Sequence, residues 1–219
     1  MTLHPSDVTE AKKTGGLRLL VHDATCVGSG FLPGLSNAWS SGALLYRGLG
    51  RIDASKGVRN WREALTFLTE YGGDSPVAEV QYWGHGTFGK VWIAKDGLDR
   101  ARLTSPDLEP LLDRLRNRLS AASSEALVWL RTCETMGGAS GHAFAKELSS
   151  RLGCRVAGHT HVIGVLQSGL VALRPDEEPS WPLDMGLGPS GESGHGLPSS
   201  PAEPSTIHFL TDRLPAALG

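Results

Sequence analysis

Cysteine is scarce in this chain: its 219 residues include 3, at Cys26, Cys133 and Cys154. An odd count with no C-x-x-C spacing excludes a disulfide framework and a cysteine-rich zinc module, and suits reduced thiols. Net charge is nearly absent too, since 21 Lys and Arg against 23 Asp and Glu leave −2. Neither nucleic acid nor an anionic membrane surface is an expected partner. No stretch approaches the roughly 20 apolar residues of a membrane helix. The segment Met1–Gly16 is polar and lacks the apolar core of a secretory signal, so a soluble, cytoplasmic protein is expected. Gly28-Ser29-Gly30 opens like a phosphate loop, but Pro33 stands where the third glycine belongs, and no G-K-[ST] occurs. No HExxH is present either, and no cofactor is expected.

What is present is a series of short apolar runs separated by amphipathic stretches. Leu17–Thr25, Val77–Gly84 and Ala126–Thr132 read as buried strands, and a further strand starts at Cys154. Asn37–Leu49 carries Trp39, Ala43 and Tyr46 on one helical face. Ser55–Tyr71 contains a second helix with Trp61, Leu65 and Leu68 aligned, stopped by Gly72-Gly73. A short hairpin over 88–95 is expected to turn at Asp96-Gly97. Ser105 and Pro106 read as cap and first position of a helix with a leucine stripe from Leu108 to Leu119. Gly138–Leu152 forms another helix, closed by Gly153. Strands alternating with helices at these spacings predict an α/β domain with a mostly parallel sheet flanked by helices. From 174 to 205 proline, glycine and serine dominate, which reads as a lid or cleavage loop. Ser205–Leu210 is expected to return to the sheet as an edge strand.

Two of the strands end in chemistry. Val77-Ala-Glu-Val-Gln-Tyr-Trp-Gly leads to His85-Gly86, and Ala126-Leu-Val-Trp-Leu-Arg-Thr leads to Cys133-Glu134 and the turn Gly137-Gly138. Parallel strands deliver their carboxyl ends to one edge, where ligands bind. A Cys and a His meeting there are the minimum apparatus for a thiolate nucleophile, and a helix start just after Cys133 favours the thiolate. Taken singly, each has a plainer reading: Cys133 as a buried core thiol, His85 as a loop imidazole held by backbone groups.

This pattern resembles the caspase-like cysteine peptidases. In that group a His-Gly ends one strand and the nucleophilic Cys ends the next, and the caspase signature separates them by about 50 residues. Here the gap is 133 − 85 = 48. The resemblance covers about residues 17 to 165 and is closest to divergent bacterial members, in which W-G-H-G precedes a small hairpin. In those members C-E-x-x-x-G-x-x-G-x-x-F-A-x-x-L follows the second strand. Arg131-Thr-Cys133-Glu-Thr replaces the Q-A-C-[RQG]-G pentapeptide of caspases, so their aspartate preference does not carry over.

The resemblance implies a caspase-like three-layer sandwich and a cysteine endopeptidase, with Cys133 as nucleophile and His85 as its partner. The backbone amides of Gly86 and Cys133 would hold the oxyanion. It further implies that the end of the first strand helps form the pocket for the residue before the scissile bond. That end carries Asp23; Glu134 is a second candidate acid, though it equally suits a helix cap. A carboxylate there would favour Arg or Lys. The partner is a protein or peptide substrate, with an activating partner also expected. On this reading the chain divides into a flexible segment 1–16, a caspase-like domain 17–173, the loop 174–205, and an edge strand and tail 206–219. Two alternatives stand beside it: a catalytically silent adaptor domain, and a metal-dependent hydrolase using the H-x-H pair His159 and His161.

Overall fold

The computed structural model describes residues 15–28, 34–122 and 125–218. The expected flexible segment, apart from Gly15 and Gly16, and the Ser29–Pro33 part of the first loop lie outside the described residues. In chain order the elements are β1 (Leu17–Asp23), α1 (Leu35–Gly48), β2 (Ala54–Val58), α2 (Trp61–Glu70), β3 (Val77–Trp83), β4 (His85–Thr87), β5 (Lys90–Ile93) and β6 (Asp96–Leu98). They continue as α3 (Glu109–Ala122), β7 (Leu127–Arg131), α4 (Gly138–Leu152), β8 (Arg155–His159), β9 (Leu166–Gln167), β10 (Leu170–Leu173) and β11 (Ile207–His208).

Six strands form the central sheet in the order β10-β8-β7-β3-β1-β2. All neighbours are parallel except the pair β8–β10. The protein is therefore α/β, with a mostly parallel sheet between flanking layers. Alternation along β1 explains the two layers: Leu19 and Val21 join one apolar cluster, whereas Leu20 joins another. Right-handed crossovers decide which helix lies where. The step β1–α1–β2 runs towards one edge and β2–α2–β3 runs back across β1, so α1 lies opposite α2, α3 and α4. Tyr46 of α1 packs with Leu20 and Trp83 on its side, and Leu65, Leu112 and Leu148 join the larger cluster on the other. Beyond α1, its side is completed by the C-terminal segment, where Ile207 meets Trp129, Ala157 and Leu170.

Several expectations shift in detail. The helix 138–152 stands as read, with Gly153 left-handed at φ 62° as its cap. The hairpin turns earlier than expected, at Phe88-Gly89 and again at Ala94-Lys95, so Asp96 and Gly97 belong to β6. Asp96 accepts the Trp61 N–H at 2.8 Å, which ties the hairpin to the start of α2. Ser105 does not cap a helix. Its hydroxyl donates to Arg102 O, a 3₁₀ turn precedes it, and α3 starts at Glu109. The C-terminal strand does not return to the main sheet: β11 pairs with β9 in a two-stranded ribbon. No helix among the described residues is long and apolar enough to cross a membrane.

Candidate active site

The strand order reverses between β1 and β3, the point at which α/β sheets open a crevice. A cleft of about 610 Å³ lies at this carboxyl edge. It is lined by Trp83, Gly84 and His85 at the end of β3, Arg131 and Cys133 at the end of β7, and Ile163 to Val165 after β8. Leu35, Trp39 and Leu45 of α1 and Phe209 of the C-terminal segment close it. His85 and Cys133 thus open on one cavity, as their strand-end positions suggest.

The two segments that carry them touch. A Cβ on Gly86 would stand 2.3 Å from Thr135 Oγ1, 2.6 Å from Cys133 O and 2.8 Å from Thr132 Cβ, so only glycine permits this approach. Thr87 and Lys90 flank a two-residue turn and form its hydrogen-bonded pair. The next pair, Gly86–Val91, is then the non-hydrogen-bonded one, and the Gly86 N–H points away from β5. His85 is exposed, with its ring edge-on to Trp39 at 5.2 Å between centroids.

The turn that carries Cys133 is held from below. Thr132 and Thr135, both fully buried, share a 2.5 Å hydroxyl hydrogen bond, and Thr135 also donates to Cys133 O at 3.2 Å. The Glu134 and Met136 N–H groups donate to His161 O and His159 O, each at 3.0 Å. Glu134 sits in the left-handed region at φ 59°, a conformation costing a non-glycine residue of order 1 kcal/mol. Cys133 is half-buried. Its Sγ receives the Ile163 N–H at 3.4 Å. Burial pushes its thiol pKa up; the Ile163 N–H opposes this and the Glu134 charge adds to it. The uncharged thiol is the resting form. In a Cys26→Ser background, alkylation of Cys133 by iodoacetamide at pH 7 is expected to be slower than that of free cysteine. The rate should rise about tenfold per pH unit to beyond pH 9. A plateau below pH 8 would contradict this.

The two carboxylates expected in the specificity pocket do not line the cleft. Asp23 is 1% exposed and accepts from Thr25 N (2.7 Å), Thr25 Oγ1 (2.6 Å) and Ala94 N (3.2 Å), anchoring the hairpin turn to β1. Glu134 is 4% exposed and accepts from Gly196 N at 2.5 Å. Both satisfy backbone donors supplied by distant segments. The cleft that the lining residues form is mainly apolar.

The segment 174–205 is not placed over the cleft. It straps the turn after Cys133: Trp181 Nε1 donates to Met136 O at 2.9 Å, and Gly196 N donates to Glu134. Glu192 accepts from Ala139 N and from Ser140 N and Oγ at the start of α4.

His159 and His161 are both buried, and each bonds protein groups through at least one ring nitrogen. His159 Nδ1 bonds Ser168 O at 3.1 Å, and His161 bonds Thr160 Oγ1 at 2.9 Å and Glu203 at 3.1 Å. Among the described residues no group of three His, Cys, Asp or Glu could hold a metal ion. The pair braces the end of β8 rather than presenting a ligand set. Burial pushes the His159 pKa down to about 3 from an ordinary 6.5. Below pH 6.5 the unfolded chain takes up a proton that the folded chain refuses until about 3, so stability falls as pH drops through this window. By ~pH 4.5 this group is expected to cost about 2–3 kcal/mol. Urea unfolding of wild type and His159→Gln should show a shallower pH dependence in the variant between those limits, and equal slopes would refute the assignment.

Sequence reasoning missed most of the cleft walls: Leu35, Leu45, Ile163, Val165 and Phe209. No family model matches this chain, and no curated protein is similar to it in sequence.

Proposed function

We propose that the protein is a caspase-like cysteine endopeptidase with Cys133 as nucleophile and His85 as its acid–base partner. The observation that carries this reading is the delivery of both groups, from adjacent strands β3 and β7, to one cleft beside the reversal point of the sheet. The hairpin β4–β5 after His85 and the glycine turn leading from Cys133 into α4 support the caspase-like part of it.

In the reaction the Cys133 thiol passes its proton to His85 as substrate brings the pair together, and the Sγ attacks the scissile carbonyl. The developing oxyanion meets the N–H groups of Gly86 and Cys133, each worth about 3–4 kcal/mol of barrier when well aimed. His85 delivers a proton to the leaving amine as the C–N bond breaks and a thioester forms. Water then adds to the thioester, the C–S bond breaks, the acid product leaves, and the thiol is restored. His85 rests against Trp39 rather than on Cys133 Sγ, so the pair tightens when substrate enters, as catalytic hydrogen bonds commonly do.

A second reading, a silent domain that binds a partner through the cleft, draws on the protonated thiol and its contact with Ile163. A thiol-reactive peptide probe separates the two. On the peptidase reading it labels Cys133 of the wild type and blocks hydrolysis of a fluorogenic peptide library, and Cys133→Ala shows neither labelling nor hydrolysis. Hydrolysis surviving in Cys133→Ala, or none at all in a wild type whose Cys133 resists the probe, would overturn the assignment.

A further inference from the structure

Building on the peptidase reading, we infer that the cleft beside Cys133 selects a bulky apolar side chain, aromatic or leucine-like, on the residue whose carbonyl the Sγ attacks. The pocket adjoining the nucleophile takes the side chain attached to the attacked carbonyl. Its walls here are Leu35, Trp39, Leu45, Trp83, Val165 and Phe209. Three of these are unusually exposed for large aliphatic residues: Leu35 at 49%, Leu45 at 44% and Val165 at 62%. All three line the one cleft, the pattern that marks a binding surface.

The wall is fixed as well as apolar. Trp83 donates through Nε1 to Gln81 at 2.9 Å, Gln81 donates to Glu79 at 2.5 Å, and Glu79 pairs with Arg18 at 2.8 Å. Tyr46 packs edge-on to Trp83 at 4.9 Å. A wall held in this way keeps its shape when empty, which favours one class of side chain over others.

Charged residues are disfavoured for two separate reasons. No carboxylate lines the cleft among the described residues, so a Lys or Arg would lose its water without gaining a counter-charge. The Arg131 guanidinium on the floor adds repulsion. A carboxylate gains little from that same Arg131: it is 4% exposed, and its fork already donates to Tyr46 Oη at 2.9 Å, Phe209 O at 2.6 Å and Thr211 O.

The test uses acyl-peptides identical except for Phe, Leu, Arg or Asp before the scissile bond. Their cleavage by wild type is measured, together with their binding to Cys133→Ala through tryptophan fluorescence. Phe and Leu are expected to exceed Arg and Asp by at least about tenfold in both, the effect of burying one apolar side chain. Leu45→Glu changes a partly exposed position on α1 and leaves the core intact. It should erase that preference and raise cleavage after Arg. Cys133-dependent cleavage or binding that favours Arg or Asp overturns the inference alone. Apolar-selective binding without cleavage upholds the inference and overturns the peptidase reading. Neither binding nor cleavage overturns both.

Discussion

Gly86→Ala is expected to lower kcat/KM by at least about a hundredfold and to cost about 1–3 kcal/mol of stability. The added methyl would meet Thr135 Oγ1, Cys133 O and Thr132 Cβ, all closer than 3 Å, and none is the loose end of a flexible side chain. Thr132 and Thr135 are fully buried and bonded to each other, and Cys133 O accepts from Thr135. The collision is therefore relieved by moving the His85–Gly86 strand away from the nucleophile turn. On the proposed mechanism that displaces the imidazole and one oxyanion donor together, which is why the activity loss should far exceed what the stability loss predicts. Steady-state kinetics and urea unfolding of the same preparation separate the two effects. A variant with normal kcat/KM would show that the two segments need not touch for chemistry, and that Gly86 N–H is not an oxyanion donor.

How much of this could be read from the chain follows from where each signal resides. β1, β3 and β7 were legible because a strand buried on both faces writes a short, largely apolar run, and α4 because its start and its Gly153 stop are both local. β2 was not: its sequence, Ala-Ser-Lys-Gly-Val, belongs to an edge strand whose middle residues are not buried. His85 and Cys133 were legible because strand ends in a parallel sheet share an edge whatever the loops do. The walls of the cleft were not, for two reasons. Asp23 and Glu134 are near the cleft in sequence but are drawn away by backbone donors at Ala94 and Gly196, which only the fold brings close. The walls of the cleft come from α1, the loop after β8 and the C-terminal segment, and no local pattern ties Leu45 to Val165 or Phe209.

Arg131 is where these distant parts are joined, and Arg131→Ala is expected to cost about 3–5 kcal/mol, the largest stability loss among the substitutions considered. The residue reads in sequence as the start of the Arg-Thr-Cys motif. In the fold it is buried with its guanidinium 4.0 Å from the Trp129 ring and bonded to Tyr46 Oη and the carbonyls of Phe209 and Thr211. No salt bridge joins it to a carboxylate among the described residues, and burial lowers its pKa, so the charge itself is a cost. Its favourable contribution lies in satisfying buried oxygens and filling the space between aromatic rings. Truncation removes both, leaves the Phe209 and Thr211 carbonyls short of donors, and loosens the segment that walls the cleft. The charge being a cost makes a second outcome expected: Arg131→Met, which keeps the volume and the ring contacts, should lose less than Arg131→Ala despite removing the same charge. Arg131→Lys keeps the charge but offers a point donor in place of a fork, and should recover only part of the loss. Denaturant unfolding of the three variants ranks them directly. If Arg131→Lys proved harmless while Arg131→Met was as damaging as Arg131→Ala, the charge rather than the carbonyl bonds and packing would be what holds the C-terminal segment in place.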